Sequence, residues 1–104
     1  MNIIGTYPAE KKPAGYRQLT VSITVVDLAD ATGGIPLKAT RAIISVESYG
    51  VRTTDDGTDP TTTVGMPYAA NATIELISRE QIDAFKAIRS EASDAVLNIS
   101  YYKS

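Results

Sequence analysis

Cysteine and histidine are both absent from this 104-residue chain. The first absence excludes a disulfide scaffold and thiol chemistry. The second excludes imidazole as a catalytic base, and together they exclude every Cys/His zinc site. The chain also lacks a long apolar run. None approaches the roughly 18 residues needed to cross a bilayer, and residues 1–15 hold only Ile3 and Ile4 as an apolar pair, which is not a signal-peptide core. The expectation is a protein made in a cytoplasm that carries no address of its own. Excess charge of either sign is missing too. Ten basic against twelve acidic residues leave a net charge of −2, so no general attraction to nucleic acid or anionic membrane follows.

What is present describes an ordinary folded domain. Hydrophobic residues make up 43% and charged residues 21% of the chain, which argues against wholesale disorder. A chain of this length forms one domain and buries roughly 65% of its unfolded surface. That suffices for one modest core and not for a deep substrate cavity as well.

Residues 1–16 contain Pro8, Pro13, Gly5 and Gly15 without sustained periodicity. They read as an extended N-terminal arm, with Ile3, Ile4, Tyr7 and Tyr16 as apolar marks for docking. Residues 17–104 read as a single β domain. Leu19, Val21, Ile23 and Val25 alternate with polar residues and predict a strand over 17–26. Residues 27–38 carry Gly33, Gly34 and Pro36 and read as a connection. A second strand is expected over 40–48, with Ala42, Ile44 and Val46 on one face and Arg41, Ile43, Ser45 and Glu47 on the other. A third is expected over 51–54, closed by the Asp55-Asp56-Gly57 turn. Residues 58–70 read as a long loop with Pro60, Gly65 and Pro67, the kind that is packed or functional when found in a small domain. Ile74 and Leu76 oppose Thr73, Glu75 and Ile77 in the next strand, 72–77.

Ser78 to Gln81 spell a capping box, with Ile77 and Ile82 at the hydrophobic-staple positions. A short helix to Ala84 follows; periodicity over 85–90 fits a continued helix or a strand, with a strand favoured, and 91–94 reads as a turn. The final strand, 95–102, puts Ala95, Leu97, Ile99 and Tyr101 on one face and Tyr102 on the other. One of the two tyrosines belongs in the core and the other at an exposed or interface position. Short strands, twelve threonines and turns every ten or so residues predict an all-β fold: an antiparallel, jelly-roll-like β-sandwich with one short helix.

Chemistry-bearing constellations are few. Asp55, Asp56 and Asp59 crowd one turn and invite a calcium reading. Their spacing lacks the D-x-D-x-D-G ladder and the later glutamate of an EF-hand, so turn capping is the favoured reading. No ordered carboxylate pair suggests a catalytic site. Lys11 and Lys12 beside Tyr7 and Tyr16 are too few for a nucleic-acid stripe. The sequons at Asn71 and Asn98 carry no weight without a secretory signal. These residues predict no catalytic residue, no cofactor and no metal, and neither nucleic acid nor membrane as a partner.

The segment from Val51 to Thr61, VRTTDDGTDPT, followed by Gly65-Met66-Pro67 and a terminal Leu97-Asn98-Ile99-Ser100-Tyr101-Tyr102 strand, resembles a pattern of small tailed-phage and prophage structural proteins. Those proteins read V-R-W-R-D-D-G-x-x-P-T, then G-M. The likeness spans residues 40–102 and includes Ala42 to Glu47, with a weaker echo in Tyr16 to Leu19. This chain departs at Thr53 and Thr54, where the family often has Trp and Arg, so roles of those two residues do not carry over. The resemblance implies a non-enzymatic virion protein that decorates or cements the capsid through its major capsid protein and forms a homo-oligomer. A tail, neck or fibre module that binds host glycan through Tyr49, Tyr68 and Tyr102 is the alternative. Arg52, Asp55, Asp56, Gly57, Pro60 and Gly65 are expected to be structural, with Arg52 pairing a carboxylate. Ile3, Ile4, Tyr7, Tyr16, Met66, Tyr68 and Tyr102 are the expected interface residues, with residues 58–70 as a contact loop.

Overall fold

Alternating apolar and polar residues leave each strand with one face to bury, and two sheets packed face to face satisfy all of them. The computed structural model describes residues 12–104. Its strands are β1 (Lys12–Val21), β2 (Val26–Asp27), β3 (Arg41–Glu47), β4 (Val51–Thr54), β5 (Met66–Tyr68), β6 (Thr73–Leu76), β7 (Lys86–Arg89) and β8 (Ala95–Lys103). One helix, α1 (Arg79–Ala84), lies between β6 and β7, and a 3-10 turn, Leu28–Asp30, follows β2.

The sheets run β1-β8-β3-β6 and β2-β7-β4-β5, and every pairing is antiparallel. Strand 1 pairs with 8, 2 with 7, 3 with 6 and 4 with 5. The chain is therefore one long antiparallel ribbon rolled so that successive strand pairs change sheet. This is jelly-roll topology, the expected fold.

The core lies between the sheets. Leu19, Val21, Ala42, Ile44, Val46, Ile74, Leu76, Ala95, Leu97, Ile99 and Tyr101 line it from the first sheet. The second sheet supplies Val51 and Ala87. Leu28, Ala31, Ala39, Ile82 and Phe85 come from the connections. The connections thus fill one end of the core instead of merely spanning it.

Several boundaries differ from the sequence reading. The first strand starts at Lys12 and stops at Val21, so five residues assigned to the arm belong to β1, four of them paired with β8. A bulge between Pro13 and Gly15 absorbs the irregularity there. Residues 1–11, with Ile3, Ile4 and Tyr7, lie outside the described residues. The alternation at Ile23 misleads because 22–25 is where the ribbon crosses between sheets; Ile23 is exposed. Met66–Tyr68 is a strand inside the expected loop. Proline is tolerated in it because β5 is an edge strand.

Candidate functional site

Antiparallel strands place alternate connections at opposite ends of the sandwich. One end has 22–25, 48–50, 69–72 and 90–94, none longer than a tight crossing. The other has all the long ones: 28–40, 55–65 and the helix-bearing 77–85. The start of β1 and the end of β8 also lie there, joined by the Lys12–Lys103 pair. Loops held by a rigid scaffold are where binding side chains concentrate, and this end is the candidate site.

Its loops are tied down by side chains bonded to backbone. Arg79 Nη1 lies 2.9 Å from the carbonyl oxygen of Pro36 and 3.0 Å from those of Leu37 and Ala39. Its Nε donates to Asp83 Oδ1 at 3.0 Å. Connection 28–40 is thereby stapled to the first residue of α1. Arg17 holds the same connection from the other side, donating from Nε to the Gly34 carbonyl at 3.0 Å. Gly33, at φ 91°, passes so close that a Cβ would stand 2.7 Å from Arg17 Nε.

The resemblance motif builds the second loop. Asp56 Oδ1 accepts from the Thr58 amide at 3.0 Å, the expected turn capping. The Thr58 amide, helped by its hydroxyl, holds the Asp56 carboxyl below the ordinary carboxylate range. The Thr54 hydroxyl donates to the Thr58 carbonyl. Gly57 takes φ 87°, the left-handed conformation the turn requires. Pro60 is fully buried. Gly65 takes φ 128°, and a Cβ there would lie 2.9 Å from the Thr53 carbonyl oxygen.

Arg52 corrects an expectation. Among the described residues it pairs no carboxylate, and Nη1 donates instead to the Gly65 carbonyl at 3.0 Å. Its register partners are Ile88 and Pro67, so it lies across the sheet, while the aspartates sit beyond the strand's end. Those are engaged elsewhere: Asp55 Oδ2 accepts from Gln81 Nε2 at 3.1 Å and Asp59 from Lys86 Nζ at 2.7 Å. The bond to Asp59 raises the Lys86 pKa.

The cap of α1 is also half as expected. Ser78 Oγ accepts from the Gln81 amide at 3.2 Å, but Gln81 Oε1 accepts from the Ile77 amide at 2.7 Å, not from Ser78. The β6 ladder ends at Leu76, leaving the Ile77 N–H in need of a partner. Ile82 is buried while Ile77 is 62% exposed, so the expected staple does not hide both side chains.

Seven large apolar side chains are exposed among the described residues, and four belong to this end: Leu37, Val64, Met66 and Ile77. Leu37 is 88% exposed although its carbonyl is held by Arg79. A chain of contacts links three of them, Leu37, Ile77 and Met66. Leu37 is bonded to Arg79 and Ile77 to Gln81; Gln81 is bonded to Asp55. Asp55 shares with Asp56, Thr53, Thr54, Gly65 and Met66 a shallow cleft of about 190 Å³. That volume lies below the roughly 300 Å³ at which small-molecule pockets begin and suits a single inserted side chain.

Other expected interface residues are scattered. Tyr16 is exposed on the outer face of the first sheet and donates to Asn98 Oδ1 at 2.7 Å. Gln18 Nε2 donates to the same oxygen at 2.9 Å, and Asn98 Nδ2 to Glu47 at 2.8 Å. Tyr102 shares that face, half-buried. Tyr68 packs against the core from the second sheet, and Tyr49 sits at the short-turn end. Tyr49, Tyr68 and Tyr102 therefore do not form one platform. Tyr101 is the core tyrosine, its hydroxyl buried without a partner among the described residues and its pKa pushed up to about 12 by desolvation.

Arg79 and Gln81 are the organising residues that sequence reasoning missed. Their position beside a capping box was legible, but their partners across the fold were not. Among the described residues no group of acidic side chains has metal-site geometry. No described helix is long and apolar enough to cross a membrane. Comparison with protein-family models, curated proteins and solved structures returned no match.

Proposed function

We propose that this chain is a non-enzymatic structural protein of a tailed-phage virion, a capsid decoration protein that binds the major capsid protein and acts as a homo-oligomer. The observation that carries the reading is how the resemblance motif is used. Arg52, Asp56, Gly57, Pro60 and Gly65 are engaged in shaping a loop that stands beside exposed apolar side chains. Such a unit presents a surface, and cementing requires only surfaces. Each contact is weak alone and is reinforced by neighbours held at high effective concentration on a symmetric shell.

The rival reading, a tail or fibre module that grips host glycan, would draw on Tyr49, Tyr68 and Tyr102, of which Tyr102 lies in the other sheet from Tyr68 and at the opposite end from Tyr49. Quantitative mass spectrometry of purified particles separates the two. A copy number on the scale of the capsid subunits supports decoration. A handful of copies per particle places the chain at the tail, and none in the particle removes the virion reading.

A further inference from the structure

Among the aspartates and asparagines of the chain, Asp56 alone is followed by glycine. That neighbour matters chemically. The backbone nitrogen of the next residue can attack an aspartyl side chain at Cγ, and a following glycine puts no Cβ in the way. The turn leaves this pair open. Asp56 and Gly57 are both exposed, and a Cβ built on Gly57 would meet nothing within 4 Å. Among the described residues no hydrogen bond engages the Gly57 amide. Comparable positions are closed. The Ala72 amide, after Asn71, donates to the Ala69 carbonyl at 3.1 Å. Ile99, after Asn98, lies in the middle of β8 between two paired strands. Asp59 precedes Pro60, whose nitrogen carries no proton to give up.

We propose that Asp56–Gly57 is a site of spontaneous isomerisation in the native chain, restrained by the Thr58 amide. The Gly57 nitrogen loses its proton and bonds to Asp56 Cγ, and the carboxyl hydroxyl departs with a proton as water. The product is a cyclic imide. Solvent water then opens the ring. Attack at Cγ restores aspartate, while attack at the Asp56 main-chain carbonyl leaves the peptide bond on Cγ, an isoaspartyl link longer by a methylene. Water released in the first step is balanced by water consumed in the second, and nothing is oxidised or reduced. The restraint lies in the first step. The Thr58 amide donates to Asp56 Oδ1 at 3.0 Å, and a hydrogen bond to the carboxylate favours its ionised form. The departing hydroxyl exists only on the protonated form, and an unfolded chain lacks this bond. Isomerisation also dismantles the turn, because the added methylene displaces Thr58, whose amide and carbonyl both hold the loop. The inference does not depend on the capsid reading; it makes the motif loop the segment that ages first.

The test ages the full chain at neutral pH in the warm, once native and once in guanidinium chloride. Electron-transfer fragmentation then locates isoaspartate in the tryptic peptide that begins at Thr53. The expected result is isoaspartate at Asp56 and at no other aspartate of the native chain, accumulating several-fold faster in denaturant. Asp56→Glu should age without it, since the larger ring closes far more slowly. Asp56→Asn, whose leaving group is ammonia, should convert faster than the unaltered chain, read by mass as loss of the amide. The site is exposed, and thermal melts check that both variants fold. No isoaspartate at Asp56 of the native chain, over an incubation that converts the denatured one, overturns the proposal. So does isoaspartate spread evenly over the other aspartates, or an Asp56→Asn chain that keeps its amide. Equal rates in the native and denatured chains overturn the restraint assigned to Thr58.

Discussion

The two ends of this sandwich are built on opposite plans. At one end four short connections turn the chain around with backbone-to-backbone bonds, such as Asn71 to Val46 and Ser90 to Gly50. At the other, three long connections are held by side chains reaching far along the sequence. Arg79 binds carbonyls some forty residues away, and Gln81 reaches Asp55 across 26 positions. The same long connections send Leu28, Ala31, Ala39, Ile82 and Phe85 into the core. The end that would carry function is thus not an appendage. It closes the hydrophobic interior, and its rigidity comes from the same residues that complete the fold.

The largest effect should come from the core residues the long connections contribute. Phe85→Ala empties a fully buried site and is expected to cost about 3–5 kcal/mol, read as a shift in the urea midpoint. If it costs no more than an exposed substitution, the long connections are not part of the core.

Next, Arg79→Ala removes charged bonds to three carbonyls and should cost about 1.5–3 kcal/mol. It should also raise amide exchange within 36–39 while leaving 48–50 and 69–72 unchanged. Uniform exchange across both ends would show that the staple is not local. Gly65→Ala places a Cβ against the Thr53 carbonyl at a strained φ and should cost about 1–3 kcal/mol, seen as a lower melting temperature.

The contrast explains what could be read in advance. Along Arg41–Glu47 and Ala95–Lys103, period-2 alternation states which side chains are buried, and Ala42, Ile44, Val46, Leu97 and Tyr101 are buried. The Asp-Gly turn and the Ser78 cap were legible for similar local reasons, whereas the strand over Lys86–Arg89 was not, because its short pattern fits a continued helix equally well. The partners of Arg52, Arg79 and Gln81 were not, because a side chain's choice among distant carbonyls depends on a fold already assembled. A three-residue strand such as Met66–Tyr68 is too short to show a period, and its proline argues locally against it. The pattern-bearing residues of the candidate site were visible; Leu37 and Ile77 were not, since an exposed apolar residue in a loop looks like any other until its neighbours are fixed.

Two smaller effects sharpen the picture. Burial pushes the Tyr101 pKa up to about 12 from an ordinary 10, so the folded state favours the neutral phenol. Stability from this group is full below pH 10 and falls as pH rises toward 12. Ultraviolet titration should show one tyrosine lagging the exposed ones, and Tyr101→Phe, which removes an unpartnered buried hydroxyl, should remove that lag at little or no cost in stability. Smallest of all, Asp59→Asn breaks an exposed ion pair with Lys86 and should leave the melting temperature unchanged within error.

Hydrogen–deuterium exchange on the chain, free and bound to its particle, tests the central claim most directly. Use of the candidate site in the proposed virion role predicts new protection in 34–39, 55–66 and 77–81, with 22–25, 48–50 and 90–94 exchanging as in the free chain. Protection confined to those short turns, or none anywhere on the particle-bound chain, would contradict it.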